Sequence, residues 1–159
     1  MMPKLLILNR CFIFYIMLLI PSYLFSGDEV RMSKKIIFTE DAPKAIGPYS
    51  QGVVVGDTLY ISGQIPLNPN TEALVEGTIK EQAEQVISNI ENICAAANAS
   101  LKDIVKLNIY LTDLANFADV NEVMKDKFVE PYPARATVQV VALPLGVDIE
   151  MDAIVFLDE

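Results

Sequence analysis

Residues 133–152 read PARATVQVVALPLGVDIEMD, two apolar, β-prone runs broken by Leu143-Pro144-Leu145-Gly146. Alternation makes each run a strand, about Arg135 to Ala142 and about Asp148 to Leu157. In the second, Ile149, Met151, Ala153, Val155 and Leu157 form one continuous apolar face, and Glu150 shares the other with Asp148 and Asp152. In the first, Arg135, Thr137 and Gln139 share a face. Arg135 and Glu150 are isolated charges among Val, Ile and Leu. Such charges are expensive to hold unless paired or used. A guanidinium can grip a carboxylate through two parallel hydrogen bonds, and a carboxylate can position or deprotonate a water.

Working outward, Pro131 and Pro133 stop a helix of about Phe117 to Val129, whose apolar stripe is Phe117, Val120, Met124 and Phe128. Asn121 lies one position off that stripe, either as a solvated boundary residue or pointing into a site. Before it, Ile104 to Leu111 is a strand with Val105, Leu107, Ile109 and Leu111 on one face. Thr78 and Glu81 form a capping box that opens a helix running to about Asn98. Its buried face is Ile79, Ala83, Val86, Ile87, Ile90, Ile93, Cys94 and Ala97. Cys94 on that face reads as an inert buried thiol.

Lys35 to Thr39 is a short first strand, Ser50 to Val55 a second and Thr58 to Gln64 a third, the last two joined by the tight turn Gly56-Asp57. Gly63 marks either a plain strand end or a bulge where another group approaches the backbone. The order is β-β-β-α-β-α-β-β. That order predicts an α+β class, two-layer fold: a mixed six-stranded sheet with both helices on one face. Two helices cannot cover both faces, so self-association is the expected way to bury the second.

The length of 159 residues predicts a single domain at 32–159, preceded by a dissimilar extension, residues 1–31. Lys4 and Arg10 precede the apolar run Cys11 to Ile20, which is too short for a stable membrane span. The run resembles the core of a signal peptide, which would send the protein to the periplasm or out of the cell. The other reading is an unused upstream start, with Met32 beginning a cytoplasmic protein, and this is the expectation adopted. The net charge is −9. Lys4, Arg10 and Arg31 against Asp28 and Glu29 leave residues 1–31 at +1 and the remainder at −10. So acidic a domain is a poor generic partner for nucleic acid. The absence of histidine excludes Ser-His-Asp and Cys-His catalysis and histidine metal ligands.

Five motifs occur in order: Ile46-Gly47-Pro48-Tyr49-Ser50-Gln51-Gly52, Ile61-Ser62-Gly63-Gln64-Ile65-Pro66, Pro133-Ala134-Arg135, Leu143-Pro144 and Ile149-Glu150-Met151-Asp152-Ala153. In these the chain, from Met32 to Leu157, resembles the RidA/YjgF family of reactive intermediate deaminases. The resemblance implies a chorismate-mutase-like fold and a homotrimer with sites in the clefts between subunits. It implies hydrolysis of 2-imino acids, formed from enamines, to 2-oxo acids and ammonia, with no metal or organic cofactor. By position, Arg135 would bind the substrate carboxylate and Glu150 would hold or activate the water. Tyr49, Ser62, Gly63 and Asn121 would line the pocket, as would Thr137, where many bacterial members have a cysteine. Each has a plainer reading: Arg135 as a structural ion pair, Glu150 as a solvated strand residue, Tyr49 as a packed aromatic, Ser62 as a turn hydroxyl. Rival functions are a non-catalytic module that binds small carboxylates or partner proteins, and an endoribonuclease or translation inhibitor, activities attributed to relatives.

The two groups pose a geometric problem. A tight hairpin about Pro144-Leu145 would set Arg135 opposite Val155, leaving Glu150 about five residues away, roughly 16 Å along a strand. Either the last two strands are not direct neighbours, or the site joins two subunits.

Overall fold

The computed structural model describes residues 33–158, so the expectations for residues 1–31 lie outside the described part. Among the described residues six strands and two helices follow the expected order: β1 Lys34–Ile37, β2 Gly52–Val55, β3 Thr58–Gln64, α1 Ile79–Ala96, β4 Ile104–Leu111, α2 Phe117–Lys127, β5 Ala134–Gln139 and β6 Ile149–Phe156. The described residues contain no helix long and apolar enough to cross a membrane.

The sheet order is β1-β2-β3-β6-β4-β5. Only β4 and β5 run parallel, as the α2 crossover requires, and every other pair is antiparallel. β6 is inserted between β3 and β4, so β5 and β6 never pair. This answers the geometric problem: the last two strands are not neighbours. Leu143 to Val147 is not a hairpin turn. It carries the chain past the end of β4, through a short 3₁₀ turn at Pro144–Gly146.

The core lies between the sheet and the helices. Leu59, Leu107, Ile109, Leu111, Ile149, Met151 and Val155 are buried on the inner face of the sheet, against Val86, Ile87, Ile90 and Ile93 of α1. The capping box forms as expected: the Thr78 N–H donates to Glu81 Oε2 at 2.7 Å, and the Glu81 N–H donates to Thr78 Oγ1 at 3.4 Å. Cys94 is buried, and burial pushes its thiol up to about 12, consistent with an inert group. Lys80 of α1 clasps Asp119 and Glu122 of α2.

Three details differ from the periodic reading. Val105 was expected on the buried face of β4. The register shifts between Ile104 and Lys106, so Ile104 enters the core and Val105 turns outward. Phe117 was expected in the apolar stripe of its helix, but it is 39% exposed. Asp148 was expected to share a face with Glu150. It precedes the strand and instead accepts bonds from Thr112 Oγ1 and Gln82 Nε2.

Three of the four buried amides pin backbone segments outside the strands. Gln51 donates to the carbonyls of Thr39, Ala42 and Pro43 and accepts from the Thr39 N–H. Asn89 of α1 donates to the carbonyls of Ile65 and Leu67 and accepts from Gln85. Gln82 donates to the carbonyl of Gly77. Buried amides persist only when their hydrogen bonds are made, so these segments are held against the core.

Among the described residues no helix lies over the outer face of the sheet. Ile36, Val53, Tyr60 and Ile154 are paired in register across four strands and form an apolar row there. Ile36 and Tyr60 are about half exposed, as are Phe156 and Val138 on the same face.

Candidate active site

Arg135 is registered with Leu107, whose side chain points into the core, so both lie on the helix-covered side of the sheet. β5 is an edge strand beyond the reach of the core, and the guanidinium is exposed there. Two residues of α2, one helical turn apart, hold it. Arg135 Nη1 donates to Asn121 Oδ1 at 2.6 Å. The guanidinium carbon stands 5.4 Å from the centre of the Phe117 ring, a cation–π contact. Among the described residues no carboxylate pairs with Arg135. The plainer expectation, a structural ion pair, is therefore not what holds this side chain. Asn121 points into the cavity instead of standing at a solvated boundary. That cavity, ≈ 380 Å³, is lined by Asn121, Met124, Lys125, Tyr132, Pro133 and Arg135.

Thr137 lies two residues on, on the same face as Arg135. Its Oγ1 is buried with no hydrogen-bond partner among the described residues. An unpartnered buried hydroxyl is uncommon in a folded protein.

Glu150 belongs to the other face. It is registered with Tyr110, and both point away from the helices. Its carboxylate fits a notch left by Gly63: a Cβ there would lie 1.9 Å from Glu150 Oε1. The strand register shifts between Ile61 and Gln64, so Gly63 sits in a bulge and not at a plain strand end. Ile46, Tyr49, Ser62, Gly63, Ile65, Pro144 and Glu150 line a second cavity, ≈ 340 Å³.

Ser62 fixes one wall of this second cavity. Its Oγ donates to the Ser50 carbonyl at 2.7 Å, and its N–H donates to the Gln51 carbonyl at 3.0 Å. Tyr49 is half exposed at the mouth, where its hydroxyl accepts from the Ile46 N–H at 3.4 Å. Burial, and then the charge of Asp152, raise the Glu150 carboxyl above its ordinary value. Asp152 is itself fully engaged, accepting from Asn108 Nδ2 at 2.8 Å and from the Tyr110 hydroxyl at 2.7 Å. That bond pushes Tyr110 up to about 12. Glu150 is therefore the adjustable group of this cluster, and Asp152 a fixed one.

One chain thus brings six of the seven expected residues together as two separate groups, and Thr137 lines neither cavity. Tyr49, Ser62, Gly63 and Glu150 share one cavity, and Asn121 and Arg135 the other. Phe117, Lys125, Tyr132, Ile46 and Pro144 were not anticipated there. The spacing of Phe117 and Asn121, four residues apart on one helix face, was the available signal for the first of them.

The family model described as "Endoribonuclease L-PSP" matches residues 39–157. The chain belongs to the RidA/YjgF family. A crystal structure of RidA from the Antarctic bacterium Psychrobacter sp. PAMC 21119 is 54% identical, with a TM-score of 0.75, over 77% of this chain and 99% of that one. E. coli TdcF, solved with bound serine, is 43% identical with a TM-score of 0.75, over 78% of this chain and 99% of that one. A protein of Dermatophagoides farinae named 2-iminobutanoate/2-iminopropanoate deaminase is 43% identical over 125 residues, 79% of this chain and 98% of its own. The two-layer sheet-and-helix architecture read above is the RidA/YjgF fold. The extension at residues 1–31 lies outside the RidA/YjgF match.

Proposed function

We propose that this chain hydrolyses reactive 2-imino acids to 2-oxo acids and ammonia, in sites completed between neighbouring copies of a homotrimer. The observation that carries the reading is Arg135: a guanidinium held by a neutral amide and an aromatic ring, with no carboxylate paired to it among the described residues. Such a group is oriented in advance for a ligand carboxylate, which it can grip with two parallel bonds. The similarity to a named imine deaminase supports the substrate class, and the serine bound to TdcF is a ligand of the matching size and charge.

Arg135 orients the substrate so that its imine carbon faces Glu150. That carbon is electrophilic once its nitrogen is protonated. Glu150, with a carboxyl raised above its ordinary value, takes a proton from the attacking water as the C–O bond forms. It returns the proton to nitrogen. The C–N bond then breaks as C=O forms, the oxygen proton passes to the Glu150 carboxylate and on to solvent, and ammonia departs. Gly63 leaves room for the Glu150 carboxylate, and Ser62 and Tyr49 frame the approach. Thr137 Oγ1, buried without a partner among the described residues, shares the Arg135 face of the sheet. No step calls on a metal or an organic cofactor.

Arg135 and Glu150 lie on opposite faces of one sheet, so the reading requires a second copy to bring a Glu150 face to an Arg135 face. The half-exposed apolar row on the outer face supports such an assembly.

The test is a coupled assay on the full-length chain. A pyridoxal-phosphate-dependent threonine dehydratase supplies the imine, and release of the 2-oxo acid is followed. Acceleration lost in both Arg135→Ala and Glu150→Gln is the expected result; unchanged acceleration in Arg135→Ala rejects the anchor. Binding of 2-oxo acids without any acceleration would favour a non-catalytic carboxylate-binding module. The family description as an endoribonuclease motivates an RNA-cleavage control. The charge of −9 and the paired carboxylates Glu150 and Asp152 oppose phosphate binding, so no cleavage is expected.

A further inference from the structure

Phe117, Asn121 and Lys125 stand four residues apart on α2 and form one row. The first two hold Arg135. The third lines the same cavity as Arg135, together with Met124, Tyr132 and Pro133. Among the described residues no carboxylate lines that cavity, and Lys125 forms no salt bridge. The acidic residues just before it on the helix, Asp119 and Glu122, turn to Lys80 of α1. The Glu122 carboxyl is held below its ordinary value chiefly by Lys80, and Lys125 contributes least. In a chain of net charge −9 the described residues therefore set two cations, and no carboxylate, in the lining of one cavity of ≈ 380 Å³. Like charges facing a shared, partly apolar space repel, and an anion between them relieves the repulsion. A single carboxylate on Arg135 occupies the guanidinium and leaves the ammonium without a partner.

The geometry points to a ligand with two acidic groups: a 2-imino or 2-oxo acid whose side chain ends in a second carboxylate. Arg135 grips the carboxylate next to the imine, and Lys125 meets the distal one. The side chains of Met124 and Tyr132 pack against the methylenes between. The inference rests on the proposed function, because it takes Arg135 as the anchor of the first carboxylate. Lys125 is then the residue that sets selectivity.

The test is calorimetric titration of the full-length chain with 2-oxobutanoate and with 2-oxoglutarate, which carry one and two carboxylates. The wild type is expected to bind the dicarboxylate about fivefold more tightly, the scale of one partly exposed ion pair. Lys125→Gln should bring the ratio of affinities to about one, Lys125→Glu should invert it, and Lys125→Arg should restore it. A wild type that binds 2-oxobutanoate but 2-oxoglutarate no more tightly overturns the inference and leaves the function standing. So does a Lys125→Gln variant that keeps the ratio. A wild type that binds neither, or an Arg135→Ala variant that binds both as well as the wild type, overturns the proposed function itself.

Discussion

Arg135 and Glu150 face opposite sides of the same sheet, on strands that flank β4: Arg135 is registered with Leu107 and Glu150 with Tyr110. Leu107 and Tyr110 are three residues apart on one strand, and an odd separation reverses the face. No rotamer change brings the two groups together within one chain. The sheet also gives each a different environment. Arg135 sits over helix side chains that orient it. Glu150 sits in a notch where burial and a neighbouring carboxylate favour its protonated form. In the proposed reaction the anchor and the proton carrier would thus be tuned separately, and a second copy would complete the site.

Arg135→Lys should fail nearly as badly as Arg135→Ala. A lysine keeps the charge but loses the planar fork that meets Asn121 and Phe117 and, in the proposed reaction, a carboxylate. A fall of about 100-fold in kcat/KM is expected for either, the worth of a charge-assisted bidentate contact. The side chain is exposed, so melting temperatures should stay close to wild type. Lysine activity within a few-fold of wild type would show that charge alone is needed.

Gly63→Ala tests the notch. Gly63 has no positive φ, so its constraint is space: the new Cβ would clash with Glu150 Oε1. The carboxylate must swing out, and kcat/KM should drop about 10- to 100-fold with the 2-oxo acid affinity on Arg135 kept. Titration and the coupled assay together read this split. An equal loss of binding would mean that the substitution damages the fold instead.

The raised carboxyl of Glu150 has two pH consequences. As the proposed base it must be ionised, so kcat/KM should rise with pH through a value above the ordinary one of this group, and Glu150→Gln should abolish that limb. For stability the sign is opposite. A carboxyl whose folded value is raised favours the fold below its unfolded value, and that contribution is lost as pH rises through the folded one. Glu150→Gln should therefore raise the melting temperature at pH 7 and leave it nearly unchanged at pH 3. A lower melting temperature at pH 7 would contradict the burial assigned to this group.

The order of elements was legible because it is local. Period-two runs, the Gly56-Asp57 turn and the Thr78–Glu81 box each act within a few residues. The insertion of β6 between β3 and β4 was not, because strand order is decided by which apolar faces meet in three dimensions. Arg135 and Glu150 stood out as lone charges in apolar runs, and the family motifs supplied their companions. Phe117 was misread because an aromatic on a helical stripe looks the same whether it packs in the core or beneath a guanidinium. Gln51 and Asn89 carried no periodic signal, since a buried amide is specified by the carbonyls around it.

Gln51→Leu measures how much those amides matter. Leucine keeps the approximate volume but leaves the carbonyls of Thr39, Ala42 and Pro43 and the Thr39 N–H without their partner. A loss of about 2–4 kcal/mol is expected by urea denaturation, since several buried backbone groups lose bonds together. The change also releases the segment that carries Ile46 and Tyr49, so activity should fall even where the variant stays folded. A change below about 0.5 kcal/mol would mean that water replaces the amide at little cost.

Mixing inactive variants decides whether the site joins two copies. Arg135→Ala keeps a working Glu150 face, and Glu150→Gln keeps a working Arg135 face. In a mixed closed ring, some interfaces bring the intact Arg135 of one copy to the intact Glu150 of the next. Random assembly of equal amounts into a closed ring would restore about a quarter of the wild-type sites. Co-expressed variants, purified through different affinity tags in succession, should therefore recover imine hydrolysis that neither shows alone. A double variant, Arg135→Ala with Glu150→Gln, mixed with wild type is the control, and it should yield no more than a dilution of wild-type sites. If the mixed single variants remain as inactive as each alone while assembling normally, Arg135 and Glu150 act within one chain or not together at all, and the two-copy site is wrong.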